Sequence, residues 1–214
     1  MAHLYNEIWD KKNVARIEYN NGIKYDDWLE YFENIIEKIH TPIIDLGCGS
    51  GNNSLYLTEK KKEVISCDYS KEAINIINRY IPNSKTMLFD MTEKFPFKSN
   101  YTELILADLC LHYFSETITF NILDEIRRIL KPGGYLIFRV NSVNDTNHGA
   151  IQGEEIEHNF FFTEDMTKRF FNKEDLLKFF KDWDIEYMSE ELMTGRYRKD
   201  KILWRCAVKN NKIT

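Results

Sequence analysis

From Pro42 onward, short apolar runs alternate with amphipathic stretches, a βα rhythm that predicts a mostly parallel sheet with helices on both faces. The runs Ile43–Leu46, Val64–Cys67, Thr86–Phe89, Leu104–Ala107 and Tyr135–Val140 read as successive strands. A helix opens at Asn52 or Asn53 and stops before the lysine run 60–62. Ser70, followed by Glu72 and the apolar face Ala73, Ile74, Ile76 and Ile77, marks the start and body of another. Ile118, Ile122, Leu123, Ile126 and Leu130 give a third, from about Thr117, one buried face, and the Lys131-Pro132-Gly133-Gly134 turn ends it.

Upstream, Trp28, Tyr31, Phe32, Ile35, Ile36 and Ile39 recur at helical spacing with glutamates between them, predicting an amphipathic helix packed on the sheet. The segment around Tyr5, Trp9, Arg16 and Tyr19 is less periodic, and Gly22 separates it off as a packing arm or a lid. The expected division is a helical segment and lid over residues 1–41 and a single domain over 42–214. After Asn141 the rhythm breaks into a polar stretch, residues 142–170, that runs past His158 to the Phe160-Phe161-Phe162 block. Its length favours a functional loop over the strand ends. Asn172 can cap a helix, and the runs Ile185–Leu192 and Ile202–Val208, joined by the charged link Arg196–Lys201, read as an antiparallel pair.

A chain of 214 residues with 43% apolar content fits one α/β domain with small additions. Its net charge of -5 weakens a general nucleic-acid or anionic-membrane role. The four cysteines Cys48, Cys67, Cys110 and Cys206 form no metal or redox motif, so no metal is expected. With no apolar stretch of membrane length, the expectation is a soluble, cytoplasmic protein, monomer or homodimer, with neither DNA nor membrane as partner.

Candidate chemistry centres on Ile43-Ile44-Asp45-Leu46-Gly47-Cys48-Gly49-Ser50-Gly51, a strand running into glycines at alternate positions. Such a turn brings backbone against a nucleotide-like ligand. The third glycine of a dinucleotide fingerprint is missing, since Asn52 stands in its place. Asp45 sits awkwardly beside a pyrophosphate and comfortably near a ligand that carries an amino group and a sulfonium. Asp68 and Asp90 end the next two strands, placed for ribose hydroxyls and an adenine amine, with Tyr69 and Met91 beside them to sandwich the ring.

Here the sequence resembles the class I S-adenosylmethionine-dependent methyltransferases, of the small-molecule type that includes tellurite-resistance-like and ubiquinone-type relatives. The stretch 43–51 resembles motif I, Cys67-Asp68-Tyr69-Ser70 the ribose loop, and Phe89-Asp90-Met91 the adenine loop. The segment Ala107-Asp108-Leu109-Cys110-Leu111-His112-Tyr113-Phe114 resembles the stretch after strand four. The resemblance implies a Rossmann-like seven-stranded sheet of order 3-2-1-4-5-7-6 with strand seven antiparallel. It implies S-adenosylmethionine as cofactor, S-adenosylhomocysteine as product, and Asp45, Gly47, Cys48, Gly49, Asp68, Tyr69, Asp90, Met91, Asp108 and Leu109 as cofactor-binding residues. Asp108 is not followed by the Pro-Pro of DNA adenine-amino and glutamine-amino methyltransferases, and the short chain, single domain and acidic charge look more like the small-molecule enzymes. A protein or RNA methyltransferase, or a non-catalytic S-adenosylmethionine-binding protein, are the alternatives.

Candidates for the acceptor come from loops over the strand ends. His158, in the long loop, and Asn141, at the end of strand five, are the catalytic candidates. His112, Arg196, Tyr197, Trp9 and Tyr19 are the substrate-binding candidates. Each has a plainer reading: packing for His112, Trp9 and Tyr19, a surface histidine for His158, hairpin decoration for Arg196 and Tyr197. The Lys168–Arg169 pair, near Lys173, reads as a solvated face.

Overall fold

The computed structural model describes residues 2–82, 84–163 and 166–212, with side chains from Asn6 onward. The Tyr5 side chain and residues 164–165 of the expected loop therefore lie outside the described residues. The chain opens with α1 (Ala2–Asn20), a 3-10 turn (Asp27–Phe32) and the single turn α2 (Glu33–Ile36), then β1 (Ile43–Leu46) and α3 (Asn52–Glu59). There follow β2 (Val64–Asp68), α4 (Lys71–Tyr80), β3 (Lys85–Leu88), β4 (Thr102–Asp108), a 3-10 turn (Leu111–Tyr113), α5 (Glu116–Ile129) and β5 (Leu130–Asn141). After a 3-10 turn (Thr146–His148) come β6 (Glu154–Glu157), β7 (Phe160–Thr163), β8 (Met166–Arg169), α6 (Lys173–Phe179), β9 (Asp184–Met193) and β10 (Lys201–Lys209).

Seven strands form one sheet in the order β3-β2-β1-β4-β5-β10-β9. The first five pair in parallel, while β10 runs antiparallel to both β5 and β9. This is the expected fold class and strand order, with β10 in the place of strand seven. Alternation along the strands divides the core in two. Ile44, Leu46, Ile105, Ala107, Phe138 and Val140 pack under α5 and α6. Ile43, Leu104, Leu106 and Ile137 pack under α3 and the segment Trp28–Ile39. By the same alternation Asp45 shares the Ile43 face and points toward α3.

Local signals explain the helices. Ser70 and Ser115 accept from Ala73 and Ile118 amides at the starts of α4 and α5. Asn172 forms a reciprocal capping box with Asp175 ahead of α6. Besides β5 starting at Leu130, so that the expected Lys131–Gly134 turn lies within it, the structure departs from the sequence reading in two places. Trp28, Leu29, Phe32, Ile36 and Ile39 are buried as the periodicity predicts, but their backbone is a 3-10 turn followed by one α-turn. Asp26, at the N-cap position, makes no capping bond and instead pairs with Arg139. The second departure is the stretch 142–170, which folds into a three-stranded antiparallel sheet of order β6-β7-β8. The sequence Glu154-Glu155-Ile156-Glu157 reads as loop because one whole strand there is largely exposed.

Candidate active site

The carboxyl ends of the central strands open into a cavity of about 510 Å³, within the range of small-ligand sites. The turn after β1 forms its floor. Gly47, Gly49 and Gly51 all have positive φ (66°, 51° and 90°), the left-handed region that glycine enters without penalty. At Gly47 a Cβ would also lie 2.6 Å from the Cβ of Cys110, so neither the dihedral nor the space admits a side chain.

Asp68, at the end of β2, fixes this turn: its Oδ2 accepts from the Gly49 amide at 2.8 Å and its Oδ1 from the Ser70 amide at 2.9 Å. Each oxygen keeps a lone pair for a ligand hydroxyl. Burial raises the Asp68 pKa, against the lowering by these amides. Asp90 lies two residues beyond β3, its Oδ1 accepting from the Thr92 amide and hydroxyl, both at 2.8 Å. Tyr69, Phe89 and Met91 complete this end. Asp45, by contrast, is fully buried and does not line the cavity. It accepts from Ser54 Oγ at 2.6 Å and lies 3.5 Å from the Asn53 amide nitrogen, tying α3 to the turn. Burial pushes its pKa up to about 6.

The other end is built from cations. Arg139 on β5 is 2% exposed and forks onto Asp108, with Nε–Oδ1 at 2.6 Å and Nη2–Oδ2 at 2.9 Å. Its Nη1 donates to Asp26 at 2.7 Å, and the guanidinium lies 4.2 Å from the centre of the Trp28 ring. Arg196, from the β9–β10 link, donates to Asp108 Oδ2 at 2.8 Å. Burial alone would raise the Asp108 carboxyl, but the two guanidiniums overcome it and hold the pKa well below the usual carboxylate range. Asp108 thus lines the cavity as a neutralised anion that orients Arg196. Leu109 follows it with φ at 55°, a left-handed conformation unusual for leucine, and its amide donates to the Arg139 carbonyl at 2.9 Å.

His112 is 2% exposed, lines the cavity, and its Nδ1 has no hydrogen-bond partner among the described residues. Burial first, then the charges of Lys201 and Lys168, hold its pKa well below the ordinary value, so the ring is neutral near pH 7. Asn141 Oδ1, also in the wall, is likewise buried and unpartnered among the described residues. Tyr197 and Trp9 line the wall too, Trp9 edge-on to Tyr113 at 5.2 Å between ring centres.

Two candidates fall outside. His158 does not line the cavity; its side chain is 73% exposed and its Nε2 stands 3.6 Å from Asp175 Oδ1, because the turn between β6 and β7 carries it to the surface. Tyr19, at the last turn of α1, is 91% exposed. The sequence reading also missed contributors. Lys12, Asn13 and Arg16 face the cavity from α1 together with the expected Trp9. Their i, i+3, i+4, i+7 spacing is a helical stripe, overlooked because three of the four are polar. Lys168 lines the cavity from β8, while Arg169 is buried against Phe160 and paired with Glu157, so neither is part of a solvated face.

Residues 44–138 match the family described as a methyltransferase domain. A tRNA N(3)-methylcytidine methyltransferase, Mettl2 of Drosophila melanogaster, is 30% identical over 64% of this chain and 46% of its own length. TehB of Haemophilus influenzae, named a probable S-adenosyl-L-methionine-dependent methyltransferase, is 28% identical over 83% of this chain and 57% of its own. The crystal structure of a Burkholderia thailandensis 1,6-didemethyltoxoflavin-N1-methyltransferase, with 1,6-didemethyltoxoflavin and S-adenosylhomocysteine bound, superposes with a TM-score of 0.64. It covers 99% of this chain and 91% of that one at 14% identity, a likeness of fold. The chain spans about half the length of the curated relatives it matches. Fold, cavity and matched segment agree: residues 44–138 resemble a methyltransferase domain, and the strand order is that of the class I methyltransferase fold, which implies S-adenosylmethionine as the cofactor. Glycine turn, carboxylates and aromatic walls suit that cofactor's ribose, adenine and cationic centre. Among the described residues no cluster of metal-ligating side chains occurs, and no helix is long and apolar enough to cross a membrane.

Proposed function

We propose that this protein transfers the methyl group of S-adenosylmethionine to a small-molecule acceptor. The observation that carries this reading is the placement of α1 across the cavity. Asp10 and Asn13 of α1 bond Ser70 at the start of α4, and Trp9 packs on Tyr113, so the helix spans from the cofactor end to the opposite wall and leaves a site of about 510 Å³, the size of a small ligand. The cofactor, when bound, supplies a methyl group on a sulfonium, and alignment in a dry pocket gives much of the acceleration.

In this reading Asp68 holds the ribose and Asp90 the adenine amine, with Tyr69 and Met91 against the ring. Gly47, Cys48, Gly49 and Leu109 give the backbone surface. Asp45 acts from beneath, by holding the turn. His112 takes the role first given to His158: a neutral imidazole in the wall receives the proton of an O–H or N–H acceptor as the methyl group arrives. Asn141 orients that donor. Trp9, Tyr197 and Arg196 bound the acceptor, and Tyr19 has no part in it.

The match to a tRNA methyltransferase favours a second reading, an RNA acceptor. The chain's net charge of -5 weighs against it. Calorimetric titration with S-adenosylmethionine, S-adenosylhomocysteine and NAD, then a methyl-transfer screen of small molecules beside tRNA, tests both. Binding of the two sulfur ligands and transfer to small molecules is the expected result. Transfer to tRNA alone would replace the first reading with the second, and no sulfur-ligand binding would remove both.

A further inference from the structure

The charges at the acceptor end do not balance, and the imbalance sits on one residue. Three cations surround the Tyr197 ring at the outer range of a cation–π contact: Arg16 at 5.9 Å, Arg196 at 6.0 Å and Lys201 at 5.9 Å from its centre. Two of them carry their own anion. Arg196 is paired with Asp108 at 2.8 Å, and Lys201 with the buried Asp145 at 2.7 Å. Arg16, facing the same cavity from α1, has no carboxylate within ion-pairing distance among the described residues. Lys168 also lines the wall, and its charge, with that of Lys201, is felt at His112. A positive end of the cavity is no by-product of composition, since the chain as a whole carries -5.

We propose that the acceptor is a small organic anion, and that Arg16 binds its carboxylate or comparable oxyanion beside Tyr197. This rests on the small-molecule methyltransferase reading above. The anion is the partner that Arg16 lacks, and the fork of a guanidinium suits a carboxylate's two oxygens. Tyr197, with His148 edge-on at 5.3 Å, provides an aromatic wall for the acceptor's carbon skeleton. The cofactor carries a carboxylate too, so the test must separate the two sources.

The experiment uses the protein loaded with S-adenosylhomocysteine. A panel of small carboxylic acids bearing a phenol, aniline, imidazole or aliphatic hydroxyl is titrated beside the matched primary amides, and methyl transfer to each is measured with the methyl donor. At least one acid should bind roughly tenfold tighter than its amide, as a charge-assisted bond implies. Arg16→Gln should erase that preference and Arg16→Lys keep part of it. The proposal is overturned if amides match the acids, if no acid binds, if Arg16→Gln leaves the preference intact, or if tRNA is methylated and the acids are not. It is also overturned if Arg16→Gln weakens S-adenosylhomocysteine but not methylthioadenosine, which lacks the amino-acid carboxylate. Failure of the wild-type protein to bind S-adenosylhomocysteine at all would instead strike the methyltransferase reading, and this inference with it.

Discussion

The two ends of the cavity solve the problem of buried charge in opposite ways. At the cofactor end, Asp45 and Asp68 are held by hydroxyl, amide and backbone donors, and burial pushes both pKa values up. At the acceptor end, Asp108 is gripped by two guanidiniums and held low, while His112 is kept neutral by burial first and then by neighbouring positive charge. One end has carboxylates that a cationic ligand would settle; the other is saturated with its own cations. A donor with a sulfonium and an ammonium group fits the first end and would be repelled by the second. The contrast gives the cavity a direction, and each variant below bears on one side of it.

The largest effect should come from Arg139→Met. It leaves buried Asp108 and half-buried Asp26 with Arg196 as their remaining guanidinium, and loss of one partner of a buried pair costs about 3–5 kcal/mol. Urea unfolding should show that loss. Restoring an apolar partner, in Arg139→Met/Asp108→Leu, should return much of it. A single variant within about 1 kcal/mol of wild type would mean that the network does not organise the acceptor end.

At the cofactor end the corresponding test is pH. Asp45 has a folded-state pKa of about 6 against an ordinary 3.8, so between those values the folded state holds more protons than the unfolded one. Stability from this residue is therefore greatest below pH 3.8 and falls as pH rises toward 6, then levels off. Asp45→Asn lacks that slope. Its stability relative to wild type should improve by about 3 kcal/mol from the acid side of the window to pH 7, read by urea unfolding of ligand-free protein. Parallel pH curves would show that Asp45 does not carry the uncompensated charge.

His112→Gln keeps the size of the side chain and a hydrogen-bonding group but removes the base. With an acceptor from the screen, kcat should fall about 100-fold, with S-adenosylhomocysteine affinity retained. His158→Ala should leave turnover unchanged. The reverse result would return the proton to the surface loop and dissolve the argument from buried, neutral imidazole.

The cofactor end was the more legible of the two. Its residues sit at strand ends that periodicity locates to within two positions, and Gly47, Gly49, Asp68 and Asp90 each announce a local backbone need. Asp45 was read for its charge, but alternation along β1 already put it on the Ile43 face, under the turn. The acceptor end is assembled from α1, β8, β5 and the β9–β10 link, elements distant in sequence, so no local spacing could bring Arg16 beside Tyr197. His158 misled because it sits in a long polar stretch beside aromatics. That stretch is a small sheet whose outer strand is charged, and its turn faces solvent. The local signal missed was that Lys12, Asn13 and Arg16 share a helical stripe with Trp9, a period that is plain once polar residues are counted with apolar ones.

The smallest effect, and the finest test of the contrast, is at Asp68. Asp68→Ala removes a charge-assisted contact to the ribose and should weaken S-adenosylhomocysteine by about 2 kcal/mol, roughly 30-fold. The same carboxylate also holds the Gly49 and Ser70 amides, so a loss could come through the turn instead of through the sugar. A 2′-deoxyribose analogue of the ligand separates the two. If the carboxylate acts on the hydroxyls, the variant and the analogue should not be additive, since each removes the other's partner. Additive losses would assign Asp68 to the shape of the turn. Unchanged affinity in a folded variant would leave the cofactor end without the residue that most sharply distinguishes it from the cationic end.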